Sequence, residues 1–156
     1  MTQPLNGPIE VGIRALVTLS ANFPASLDLN RLVLFDYILL HSADLEGPES
    51  IHPAIPKRQG ELGLKRFLIE HSLRVPIRAQ LARIDATAAG LVYSATEEAE
   101  GFLGALSSHY AAKLGDRARW VAENFGGLAD ADVKHRLRSI FNEWAEEFDS
   151  DDLGEP

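Results

Sequence analysis

The chain reads as mainly α-helical: a winged helix-turn-helix with a small β-hairpin wing and extra C-terminal helices. Three observations predict this. A basic amphipathic segment from Gly60 to Arg83 leads into a short hairpin pattern. That hairpin leads into a helix start, Ser94-Ala95-Thr96-Glu97-Glu98-Ala99. Two segments of helical periodicity come before and two or three come after. Such a domain docks on DNA or on a partner protein, so the question becomes one of recognition.

The first helix is expected to begin near Asn6, a plausible N-cap, with Pro8 in the first turn where its missing N–H costs nothing. Ile9, Ile13, Leu16, Val17 and Ser20 share a face at helical spacing, and Pro24 stops the run. Asp28 can cap the second helix. Its Leu32, Leu34, Phe35, Ile38 and Leu39 leave Asp36 and His41 as the few polar points, which places it centrally. From Ser42 to Gln59 the residues Gly47, Pro48, Pro53 and Pro56 forbid a regular helix and predict an ordered loop.

The basic segment that follows has Leu62, Phe67 or Leu68, Ile69, Leu73, Ile77 and Leu81 on one side, with Lys65, Arg66, Arg74 and Arg78 largely elsewhere. Pro76 requires either a kink or two helices meeting near Val75. Leu81 to Ile84 and Leu91 to Ser94 read as two strands, and Ala88-Ala89-Gly90 argues for a short wing. Thr96 opens a helix carrying Phe102, Leu103 and Leu106, and Tyr110, Leu114, Ala118 and Val121 define the next. Gly126-Gly127 ends that helix. Asp130 or Asp132 opens a last one with Val133, Leu137, Ile140, Phe141 and Trp144 in register.

A chain of 156 residues suits one domain with a single core. The expected division is a winged-helix core over 5–95, a helical extension of the same domain over 96–148, and a disordered acidic tail over 149–156. The apolar runs are too short to cross a bilayer, and no secretory pattern opens the chain, so a cytoplasmic protein is expected. Absence of cysteine excludes disulfides and thiolate metal sites. The formal charge of -8 hides a polarity. Between Lys57 and Arg83 seven basic residues face only Glu61 and Glu70, whereas from Glu143 onward there are seven acidic residues and no Lys or Arg.

The basic residues Lys57, Arg58, Lys65, Arg66, Arg74 and Arg78 are the candidate contacts to a partner protein or to nucleic acid phosphate. No Asn, Gln and Arg cluster of the kind direct base reading needs stands at a helix N-terminus. His41, Asp44, Glu46 and His52 can be drawn as metal ligands, but their spacing matches no compact motif, and no metal or other cofactor is expected. The chain has no nucleophile elbow and no phosphate-binding glycine loop, so enzymatic chemistry is not expected.

Several stretches together carry a resemblance. They are Asn6-Gly7-Pro8-Ile9-Glu10 through Arg14-Ala15-Leu16, Leu27-Asp28-Leu29, and Asp36-Tyr37 through His41-Ser42-Ala43-Asp44. Gly47-Pro48-Glu49-Ser50-Ile51-His52-Pro53 and Arg58-Gln59-Gly60-Glu61-Leu62 complete the set. It resembles the middle component, in the second of its several types, of bacterial ABC-three-component systems, over about residues 5 to 125. The resemblance implies a small non-enzymatic adaptor that links an ABC/SMC-type ATPase to an effector protein in defence against phage and plasmids. It singles out the motif loop His41, Ser42, Asp44, Gly47, Pro48, Ser50, His52, Pro53, Gly60 and Glu61. Ala43, Gln59 and the break at Pro76 are departures, and the last tells against a straight recognition helix. The alternative is a winged-helix transcriptional regulator that binds DNA with the same helix and wing.

Overall fold

The computed structural model describes residues 7–51 and 61–138. Helix α1 (Pro8–Ala21) starts after Gly7, with Pro8 pre-set for the first turn. It ends at Asn22, whose side chain donates to the Thr18 carbonyl at 2.8 Å, before Pro24 is reached. Of the face expected, one position is corrected: Ile9 is 69% exposed. Leu16 and Val17 are buried as expected, and Val11, Ala15 and Leu19 join them. Burial on almost every side makes α1 a core helix rather than a one-faced one.

Asp28 caps α2 (Leu29–Leu40) by accepting from the Arg31 amide at 2.9 Å. Leu32 through Leu40, apart from Tyr37, are buried, which gives α2 the central place its sequence predicts. Each large apolar side chain removed from water there contributes about 1.5–3 kcal/mol, so α2 anchors the core. A 3-10 turn at Ser42–Leu45 follows.

The basic segment is two helices, α3 (Glu61–Ser72) and α4 (Arg74–Arg78), meeting at Leu73. Pro76 is the third residue of α4, within the first turn, where no intrahelical N–H bond is due. The break therefore falls three residues before Pro76. Gly12 of α1 packs close to this break: a Cβ there would lie 3.1 Å from the Ser72 carbonyl oxygen.

Strands β1 (Ala82–Thr87) and β2 (Gly90–Ala95) pair antiparallel, from Ala82 opposite Ala95 to Thr87 opposite Gly90. The hairpin is longer than expected because its turn takes only Ala88 and Ala89. Thr87 closes that turn, donating through Oγ1 to the Gly90 carbonyl at 2.8 Å, and Gly90 supplies φ +126°. Leu27, between α1 and α2, adds an isolated bridge to Tyr93, with both bonds at 2.8 Å. No local pattern signals that bridge.

The expectation that Thr96 caps the following helix is corrected. Its hydroxyl donates to the Gln80 carbonyl at 2.8 Å and ties the end of the hairpin to the end of α4. Helix α5 (Glu98–Gly104) is short and leaves Leu106 outside it. Helix α6 (His109–Phe125) is capped by Ser108 and buries Leu114, Ala118, Val121 and Phe125 against α1 and α2. Helix α7 (Asp130–Arg138) buries Val133 and Leu137. Arg31 joins these ends, pairing with Asp130 at 2.5 Å and donating to the carbonyls of Phe125, Gly126 and Leu128 that end α6. The expected positions of Ile140, Phe141, Trp144 and the acidic tail lie outside the described residues. No helix among the described residues is long and apolar enough to cross a membrane.

Candidate functional site

Two neighbouring features carry the residues that the sequence singles out. One is the turn and loop after α2, and the other is the pair α3 and α4 with the hairpin. In the first, the motif residues bond mainly to one another. Ser42 is fully buried, and its Oγ donates to the Pro48 carbonyl at 2.8 Å. The Ala43 amide donates to Ser50 Oγ at 3.0 Å, and the Gly47 amide to the Ser42 carbonyl at 3.0 Å. His41 is buried with its ring 4.6 Å from that of Tyr37, and the Asp44 amide donates to the His41 carbonyl at 3.0 Å.

Helix α6 clamps this loop from outside. Gly47 lies under the Trp120 indole, where a Cβ would come within 2.3 Å of the ring. Arg117 Nε donates to the Glu49 carbonyl at 2.7 Å. The spacing of Ser42, Gly47, Pro48 and Ser50 thus folds the loop and seats it on α6. The strain sits at Glu46, a non-glycine residue at φ 62°, which costs on the order of 1 kcal/mol. Neither Trp120 nor Arg117 was legible as a loop clamp, because nothing local links residue 47 to residue 120. His52, Pro53, Lys57, Arg58 and Gly60 lie outside the described residues, and Glu61 is the first residue of α3.

The four basic candidates among the described residues are not one surface. Lys65 is turned onto α2, with its Nζ 2.7 Å from Asp36 Oδ2. Arg66 also points to α2 and bonds Asn30 Oδ1. Arg74 and Arg78 are exposed on α4, and Arg83 is exposed on β1. The expectation that Lys65 and Arg66 face outward with the others is corrected. Leu64 and Phe67 occupy the outer side of α3 instead, each 59% exposed, and Phe67 stacks on exposed His71 with ring centroids 5.8 Å apart.

Behind that face lies a buried ionic cluster. Asp36, 3% exposed, accepts from Arg14 Nε at 2.9 Å and Nη2 at 3.2 Å, and from Lys65 on its second oxygen. Burial works to raise the Asp36 carboxyl. The Lys65 ammonium and the Arg14 guanidinium outweigh burial and hold it well below the usual carboxylate range. For Arg14, burial favours the neutral form, but Asp36 and the Tyr110 hydroxyl more than compensate, and its pKa rises. Burial also pushes the Tyr110 phenol up. Helices α1, α2 and α3 each give one charged member of this cluster. A charged residue inside the apolar run of α1 was the available signal for Arg14, and its partner was visible only as a polar point in α2.

Among the described residues, no group of three or more His, Asp or Glu is placed to hold a metal ion. The described residues thus present exposed Leu64 and Phe67 on α3 and exposed arginines on α4 and β1. A family model described as ABC-three component (ABC-3C) system Middle Component 2 matches residues 4–147. No curated protein and no solved structure matches the chain.

Proposed function

This chain belongs to the Middle Component 2 family of ABC-three component systems, and from that premise we propose that it is a non-enzymatic adaptor. In this reading it links an ABC/SMC-type ATPase to an effector protein within a bacterial anti-phage or anti-plasmid system, and it does so by protein contact. The observation that carries the reading is the outer face of α3. Phosphate binding requires cations on the presented helix, whereas here Lys65 and Arg66 face α2 and Leu64 and Phe67 face outward. Exposed aromatic and aliphatic side chains at one helical spacing are the material of a protein interface.

Copurification of the ATPase of the same system with the full chain tests this. Leu64→Glu together with Phe67→Glu is expected to weaken recovery by at least about tenfold. Thermal stability is expected to stay close to that of the parent, because both side chains are exposed. Undiminished recovery would remove α3 from the interface.

A second reading has one observation in its favour. Arg74, Arg78 and Arg83 are exposed around α4 and the hairpin, in a helix-then-wing order that suits a winged-helix DNA-binding regulator. A duplex affinity that falls steeply with salt, and falls further in Arg74→Glu with Arg78→Glu, would move that reading ahead of the adaptor.

A further inference from the structure

Among the described residues, strand β1 has one side paired with β2 and one side open. On β2, Tyr93 donates its N–H to Leu27 and accepts from the Leu27 N–H, so the Ile84–Tyr93 pair exchanges no ladder bonds. By the two-residue period, Ile84 and Ala86 turn their own N–H and C=O groups away from β2, toward the open side. Residues 83–87 are all exposed. An edge of this kind is a template for pairing with another strand.

The side chains say what kind of strand fits. Opposed residues share a face, so Ala82, Ile84, Ala86, Leu91, Tyr93 and Ala95 form one apolar face of the hairpin. Ala82, Tyr93 and Ala95 are buried in the core. The same face continues uncovered toward the wing tip, with Ile84 40% and Leu91 52% exposed. On the other face, Arg83 and Asp85 lie two residues apart with opposite charges.

We propose that a second copy of this chain pairs with β1, antiparallel about a two-fold axis, with Ile84 opposite Ile84 of the second copy. Charge selects that register. Opposed side chains must lie on one face, so the axis passes through a residue rather than between two. Centring on Arg83 opposes two guanidinium groups, and centring on Asp85 opposes two carboxylates. Centring on Ile84 sets each Arg83 against Asp85 of the other copy, in the pairs without hydrogen bonds where side chains approach most closely. Ala82 then meets Ala86, the outward groups of Ile84 join the ladder, and the two exposed isoleucines cover each other. An edge guarded against pairing carries charges of one sign, which repel a second copy, whereas this edge is complementary to itself.

Sedimentation of the full chain from micromolar to millimolar concentration tests the proposal without reference to the adaptor reading. A reversible, concentration-dependent dimer is expected. Arg83→Asp and Asp85→Arg, each made alone, oppose like charges and are expected to weaken self-association by about tenfold. The double variant R83D/D85R restores the pairing. An equimolar mixture of the two single variants also associates, because the carboxylates of one meet the guanidinium groups of the other. Circular dichroism checks that each variant is folded. A wild-type chain that stays monomeric overturns the proposal. Undiminished association of both single variants does so too, as does a double variant no better than the singles.

Discussion

Lys65 and Arg66 on α3 and Arg74 and Arg78 on α4 belong to one basic stretch of sequence, yet they end in opposite surroundings. The α3 pair is turned onto α2, and Lys65 completes a buried cluster with Asp36 and Arg14. The α4 pair stands in solvent. The change of helix at Leu73 divides them, because α4 starts a new turn instead of carrying the α3 face onward. Positive charge in a sequence is therefore a poor guide to a binding surface until burial is known. In the first region the charge holds the fold together, and in the second it is available to a partner.

The largest effect that would break this comparison is at Asp36. Asp36→Ala leaves Arg14 buried and Lys65 half-buried without their carboxylate and is expected to cost about 3–5 kcal/mol in denaturant unfolding. A cost under about 1 kcal/mol would mean the cluster is not structural.

Acid provides a second, intermediate test. The Asp36 carboxyl is held below its unfolded value, so its contribution is present above the ordinary carboxylate range near pH 4 and is lost as the pH falls below that range. Between about pH 5 and pH 2 the parent is expected to lose stability more steeply than Asp36→Asn. Parallel profiles would put the acid sensitivity elsewhere.

The smallest effect is expected on the other side of the comparison. Arg74→Ala and Arg78→Ala are each expected to change unfolding stability by no more than about 0.5 kcal/mol. A larger loss at either would show that α4 also spends its charge internally.

Much of the fold was legible where a local rule governs. Asp28 caps α2, the four residues Tyr110, Leu114, Ala118 and Val121 mark α6, and Gly126-Gly127 ends it, because caps, periods and breakers act within a turn or two. Pro76 announced a break near Val75, and the structure sets it two residues earlier. It falls at Leu73, which is fully buried in the core. Thr96 looked like a cap by its neighbours, but its hydroxyl bonds Gln80 across the base of the hairpin, a contact sixteen residues away in sequence. The motif loop was legible as a loop, and its attachment to Trp120 and Arg117 was not.

Short-range patterns and residue identity suffice for the helical class, the order of helices before and after one hairpin, and the family. Only the tertiary structure decided which cations are spent inside and which face out. It also decided that Leu27 adds a bridge to the hairpin and that β1 keeps an open edge. The physical reason is that burial and pairing are properties of elements brought together from distant parts of the chain. A carboxylate on α2 neutralises an ammonium on α3 only once core packing has set the two helices side by side.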